Sequence, residues 1–99
     1  MQDVRFKKEG TGKCLFYIMD NEEQLGEMEV TIFNTEITVY HTEVDPKEEG
    51  KGLAKKLLET MVGYARKNAL QVVPLCPYVL EQFKRHPQEY ADVWKNSAR

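Results

Sequence analysis

Cysteine and histidine are scarce in this chain, two of each with no CxxC pair, which argues against a zinc site and against a disulfide framework. Cys14 and Cys76 stand far apart in sequence, and in a reducing compartment they stay thiols. No apolar run approaches the roughly 18 residues of a membrane span, and the start, MQDVRFKKEG, lacks the apolar stretch of a secretory signal. A cytoplasmic protein without membrane contact is expected. Positive charge is not in excess either: 14 basic residues face 16 acidic ones, for a formal net charge of −2, so no global field attracts nucleic acid. With 99 residues there is no room for a second inserted domain, and one small domain over 1–99 is expected, as a monomer.

What is present begins as strands. Val4 and Phe6 alternate with Arg5 and Lys7, KCLFYIMD (13–20) is apolar on both faces as a central strand would be, and GEMEVTIF (26–33) sets Met28, Val30 and Ile32 against Glu27, Glu29 and Thr31. The polar breaks at 9–12, 20–23 and 34–36 are short enough for hairpins, so an antiparallel meander is expected with EITVYHTEV (36–44) as its fourth strand. After Gly52 the period changes. Leu53, Leu57, Leu58, Met61, Val62 and Ala65 recur at helical spacing while Lys55, Lys56, Glu59 and Arg66 take the other face, which predicts a helix over about 52–67. LQVVPLC (70–76) reads as a buried fifth strand, Pro77 as the first position of a second helix, and further helical turns are expected over 88–95. The outcome is a two-layer α/β or α+β domain in which strand 4, helix and strand 5 form a right-handed crossover with strands 4 and 5 parallel.

EEGKGLAKK (48–56) sits where that crossover starts its helix. Unpaired N–H groups and the helix dipole favour an anion there, and Gly50 and Gly52 permit close approach of phosphate oxygens. The same letters also suit a plain turn with a solvated lysine face. Walker and dinucleotide fingerprints, GxxxxGK followed by Ser or Thr and GxGxxG after an early strand, are both missing.

VDPKEEGKGLAKKLL (44–58) resembles the pyrophosphate-binding motif of the GCN5-related N-acetyltransferases (GNAT), Arg or Gln, two residues, Gly, one residue, Gly or Ala, which falls here on Glu49, Gly50, Lys51, Gly52, Leu53 and Ala54. HTEVDPKEEGKGLA followed by PLCPYV extends the likeness to a minimal subgroup of that family, over nearly the whole chain. The resemblance implies a GNAT-like fold and acetyl-coenzyme A as acetyl donor, without a metal. It places the pyrophosphate on backbone N–H groups of Gly50 to Ala54 with Lys51 and Lys55 as helpers, and the pantetheine arm on the backbone of Thr42, Glu43 and Val44, where strands 4 and 5 splay. Glu49 departs from the motif, putting a negative charge where the family carries Arg or Gln.

In larger members the helix after strand 5 often carries a tyrosine that protonates the departing thiolate; Phe83 stands at that place here and is expected to pack against the coenzyme instead. Cys76, just ahead of Pro77, is the expected reactive group, because a helix N-terminus lowers a thiol pKa. It either takes the acetyl group or donates a proton, or, as a plain buried cysteine, does neither. His41, near the end of strand 4, is a candidate base within reach of Cys76 or the acceptor, and Tyr78 a candidate proton donor. The expected activity is acetyl transfer to an amine of a protein, a peptide or a small molecule. A non-catalytic acyl-coenzyme A sensor or interaction module is the alternative.

Overall fold

The computed structural model describes residues 2–95. Five strands hydrogen-bond in the order β1 (Gln2–Lys8), β2 (Lys13–Asp20), β3 (Glu23–Phe33), β4 (Glu36–Val44) and β5 (Gln71–Pro74). The first four are antiparallel neighbours, and β5 runs parallel to β4. That agrees with the expected meander and crossover. Asn21 and Asn34 take positive φ in the hairpin turns, a conformation asparagine tolerates better than most residues. A 3₁₀ turn (Pro46–Glu48) follows β4, α1 (Leu53–Lys67) carries the chain back across the sheet, and α2 (Pro77–Arg85) and the short α3 (Pro87–Tyr90) follow β5.

Both long helices lie on one face of the sheet. Leu57, Leu58, Met61 and Val62 of α1 and Val79 and Phe83 of α2 join Phe16, Ile18, Met28, Val30, Ile37, Val39 and Val72 in one buried cluster. Cys14 belongs to the same cluster, and burial holds its thiol pKa above the ordinary value. Among the described residues no helix lies over the opposite face, and Lys13, Glu29, Thr31 and Tyr40 interact there through a Lys13–Glu29 ion pair and a Thr31–Tyr40 hydroxyl contact.

Three sequence expectations need correction. β5 ends at Pro74 rather than at Cys76, because Leu75 turns away and Cys76 already caps α2. The helical turns expected over 88–95 stop at Tyr90. Beyond it the backbone of Val93 to Lys95 pairs with the outer edge of β5: Val72 N–H donates to the Val93 carbonyl at 2.6 Å and Lys95 N–H to the Val72 carbonyl at 2.9 Å. This covers an edge that would otherwise expose unpaired backbone groups, and Pro74, which has no N–H, blunts the rest. Phe83, expected against the coenzyme, is fully buried instead, stacked on Tyr90 at 4.7 Å and edge-on to Trp94 at 5.7 Å. The apolar stripe of α2 faces the sheet, and position 83 lies on that stripe.

The aromatic cluster therefore ties α2, α3 and the C-terminal strandlet to the sheet. Phe83→Ala should cost about 3–5 kcal/mol of stability, and Phe83→Tyr about 1–3 kcal/mol because its hydroxyl would enter a space without a polar partner. Urea denaturation of both variants measures this; a tyrosine variant as stable as the parent would show a partner for the hydroxyl.

Candidate active site

β4 changes face partway along. Glu29 pairs with His41 but Val30 pairs with Val39, so Tyr40 is an extra residue with no counterpart in β3. Such a bulge inverts the alternation that follows it. Before it, Ile37 and Val39 point into the core; after it, Thr42, opposite the buried Met28, takes the inner side, and His41, opposite Glu29, takes the outer side. Without the bulge, His41 and Glu43 would have faced inward.

Pairing between β4 and β5 stops at the same level. The last parallel pair is Val39 with Pro74, and one more bond follows, from Cys76 N–H to the Val39 carbonyl at 2.8 Å. From there β5 gives way to α2 while β4 runs on to Val44. The stretch from Thr42 to Val44 is left with an edge that β5 does not use.

Gly50 and Gly52 both take positive φ, 85° and 78°, where a side chain would strain the backbone. Gly52 is the N-cap of α1 and makes no side-chain cap bond; the first intrahelical bond recorded there runs from Lys56 N–H to the Gly52 carbonyl. The N–H groups of the preceding residues have no carbonyl four positions back within the helix, and they open toward the loop. Between this helix start and the free edge of β4 lies a cleft of about 340 Å³, lined by Thr42, Val44, Glu48, Glu49, Gly50, Gly52, Leu53, Ala54, Lys55 and Tyr78.

Most of the expected coenzyme residues thus meet in one cleft, namely Thr42, Val44, Glu49, Gly50, Gly52, Leu53, Ala54 and Lys55, with Tyr78 beside them. Lys51 and Glu43 are not among its lining residues. The Lys51 ammonium pairs with Glu48 at 3.1 Å, and Glu43 pairs with His41 at 3.5 Å on the outer side of the sheet. Lys55 lies 4.0 Å from Glu59 one turn on. The expected reach of His41 to Cys76 is not found: the bulge sends the imidazole to the other face, where it is more than half exposed.

Cys76 is the N-cap of α2 and is 2 % exposed. Its backbone is held at both ends, by the bond to Val39 and by Leu80 N–H donating to its carbonyl at 3.0 Å. Its sulfur lies 3.3 Å from the hydroxyl oxygen of Thr42. Sequence reasoning placed Thr42 by its backbone and missed this side-chain contact, since nothing in the letters HTEV signals the bulge that turns Thr42 inward. It also left out Glu48, which lines the cleft. Tyr78 follows in the first turn of α2; burial first, then the negative charge of Glu59, hold its phenol pKa above the ordinary tyrosine value. The phenol is protonated at neutral pH and able to donate.

The family model of the GCN5-related N-acetyltransferases matches residues 15–93. A GCN5-like protein of Staphylococcus aureus, solved by NMR, is 28% identical over 96% of each chain, with a TM-score of 0.68. The Escherichia coli ribosomal-protein-S18-alanine N-acetyltransferase shares the fold at 22% identity and a TM-score of 0.61; the match takes in 65% of this chain, which spans only 42% of that enzyme's length. An Elizabethkingia anophelis acetyltransferase with acetyl-CoA bound superposes with a TM-score of 0.60 at 17% identity, over 80% of this chain and 54% of the other. No curated protein matches. With four-fifths or so of its length inside the family model, this chain belongs to the GCN5-related N-acetyltransferases, a family of acyltransferases.

Proposed function

We propose that this protein is an enzyme that binds acetyl-coenzyme A in the cleft between β4 and α1 and transfers the acetyl group to an amine. The observation that carries the reading is the cleft itself, which joins a helix start with two left-handed glycines to a strand edge freed of its neighbour. Backbone N–H groups from Gly50 to Ala54 hold the pyrophosphate, where the dipole of a 15-residue helix adds partial positive charge. The edge from Thr42 to Val44 pairs with the amide groups of the pantetheine arm. That arrangement sets the thioester beside Thr42 and Tyr78, and an N–H donor on the acetyl oxygen stabilises the charge that develops as the amine attacks. The reaction forms the C–N bond, breaks the C–S bond and leaves coenzyme A as a thiol.

Lysines contribute little to this binding. Lys51 and Lys55 sit beside carboxylates, and Glu48 and Glu49 line the cleft, so the backbone supplies most of the attraction. The acceptor is a protein, peptide or small amine. Only 9–12 separate β1 from β2, which leaves the acceptor side open. The protein acts as one domain and as a monomer in the cytoplasm under this reading, with acetyl-coenzyme A as its only required co-substrate.

The second reading, a non-catalytic acyl-coenzyme A sensor, is favoured by the two glutamates in the cleft and by the burial of Phe83 at the place of the family's frequent tyrosine acid. Incubation with acetyl-coenzyme A and a panel of amines, with released thiol measured by a chromogenic disulfide, separates the two. Thiol release that depends on the amine is expected. A melting-temperature rise with coenzyme A but no release from any amine would establish the sensor.

Glu49→Arg restores the family's charge at the phosphates. It should tighten coenzyme A binding by roughly 1 kcal/mol, about fivefold in Kd at low salt, and the gain should shrink as salt is added. Isothermal titration measures it. A weakened or unchanged Kd would place the pyrophosphate elsewhere.

A further inference from the structure

Cys76 and the cleft are separated by one side chain. Thr42 and Tyr78 both line the cleft, whereas Cys76 is almost fully buried and is not among the lining residues. The recorded polar contact of the Cys76 sulfur is the Thr42 hydroxyl at 3.3 Å, in which either atom can donate. A hydroxyl accepts and donates at once, and a β-branched side chain is stiff about χ1. The Thr42 oxygen can therefore accept from the thiol behind it while its own proton points into the cleft. The cysteine backbone cannot swing outward without breaking the bonds to Val39 and Leu80.

We infer that Cys76 acts as a proton source through Thr42 rather than as a carrier of the acetyl group. This rests on the acetyltransferase reading and deepens it. As the amine nitrogen bonds to the acetyl carbon, the C–S bond breaks and its electron pair goes to the coenzyme sulfur. That sulfur takes the hydroxyl proton of Thr42, and Thr42 oxygen takes the thiol proton of Cys76. Coenzyme A leaves as a thiol and Cys76 is left as a thiolate. The proton shed by the nitrogen on becoming an amide passes to water on the open side, and Cys76 recovers one from water once the product has gone. In a covalent route the acetyl carbon has to come within bonding distance of the sulfur, and Cys76 is 2 % exposed and absent from the residues that line the cleft.

Thr42 is then a positioning and relay residue, and threonine-to-valine exchange removes the hydroxyl with little change of shape. With the amine that gives the fastest thiol release, Thr42→Val should lower kcat roughly a hundredfold while leaving KM for acetyl-coenzyme A and the coenzyme-induced melting shift near those of the parent. Thr42→Ser, which keeps the hydroxyl, should restore most of the rate. Cys76→Ala should fall to a similar level, and the double variant Thr42→Val with Cys76→Ala should be no slower than either single one, because a broken relay cannot be broken twice. The solvent deuterium isotope effect on kcat should be larger in the parent than in these variants. Acid-quenched peptide mapping during turnover should find no acetyl group on Cys76.

Acetylated Cys76 formed at a rate matching turnover would overturn the relay and establish the covalent route. An unchanged kcat in Thr42→Val, or multiplicative losses in the double variant, would overturn it too, with the transferase reading intact. Should Thr42→Val fail to fold, Cys76→Ala and Thr42→Ser give the same decision through kcat and the isotope effect. Absence of thiol release with every amine tried would instead remove the transferase reading, and the relay with it.

Discussion

The bond from Cys76 N–H to the Val39 carbonyl is the point on which the site turns. Parallel pairing between β4 and β5 can continue only while both strands stay extended, and at this bond one strand becomes a helix start while the other acquires an extra residue. Either change alone would leave less. A strand that simply ended would free the edge of β4 but leave Thr42 facing outward; a bulge beside a continuing strand would turn Thr42 inward beneath a covered edge. Together they open an edge and bring Thr42 to the opening. The same bond fixes the sulfur of Cys76 against that hydroxyl, so geometry at the chemical end of the cleft is set by backbone bonding rather than by mobile side chains.

At the opposite end, under the transferase reading, attraction for phosphate comes from backbone N–H groups whose own charge distribution is fixed. Four lysines surround the loop, at 47, 51, 55 and 56, but so do Glu48, Glu49 and Glu59. Exposed ion pairs of this kind contribute little and weaken with salt. N–H groups at a helix start do not titrate and do not move, and left-handed glycines let them approach an anion without a side chain in the way. Negative residues in the cleft are therefore compatible with phosphate binding, although they lower its strength.

Periodicity carried the larger part of the fold. The meander strands, the crossover helix and its buried residues at 53, 57, 58, 61, 62 and 65 follow from alternation and from helical spacing, which report burial directly. The cleft residues were legible because the glycine loop has a conformational requirement that few letters satisfy. Three features were not legible for one shared reason: they depend on register. The bulge at Tyr40 changes the face of His41 and Thr42 without altering any local preference. Phe83 reads equally well as a ligand contact or a core residue until the facing aromatics Tyr90 and Trp94 are known. The strandlet from Val93 to Lys95 is called into place by the unpaired edge of β5 rather than by its own sequence.

The placement of the helices has a last consequence. Among the described residues both long helices lie on one face, and the other face of the sheet has no covering layer. Leu15 is buried there only by its neighbours on the sheet, while Phe33, Tyr40 and Leu75 stay exposed. Charged and hydroxyl groups occupy the space between them, including the Lys13–Glu29 and His41–Glu43 pairs and the Thr31–Tyr40 contact. They interrupt the apolar surface, as a sheet face in water requires. Under the transferase reading the amine arrives at the chemical end of the cleft past a rim that no further helix among the described residues narrows. Selectivity must then come from the residues of β3 and β4 near the bulge, or from the acceptor's own shape, rather than from an enclosed pocket. The bulge therefore sets two properties at once: it turns Thr42 toward the cleft, and it puts His41 and Glu43 on the face of the sheet away from the helices.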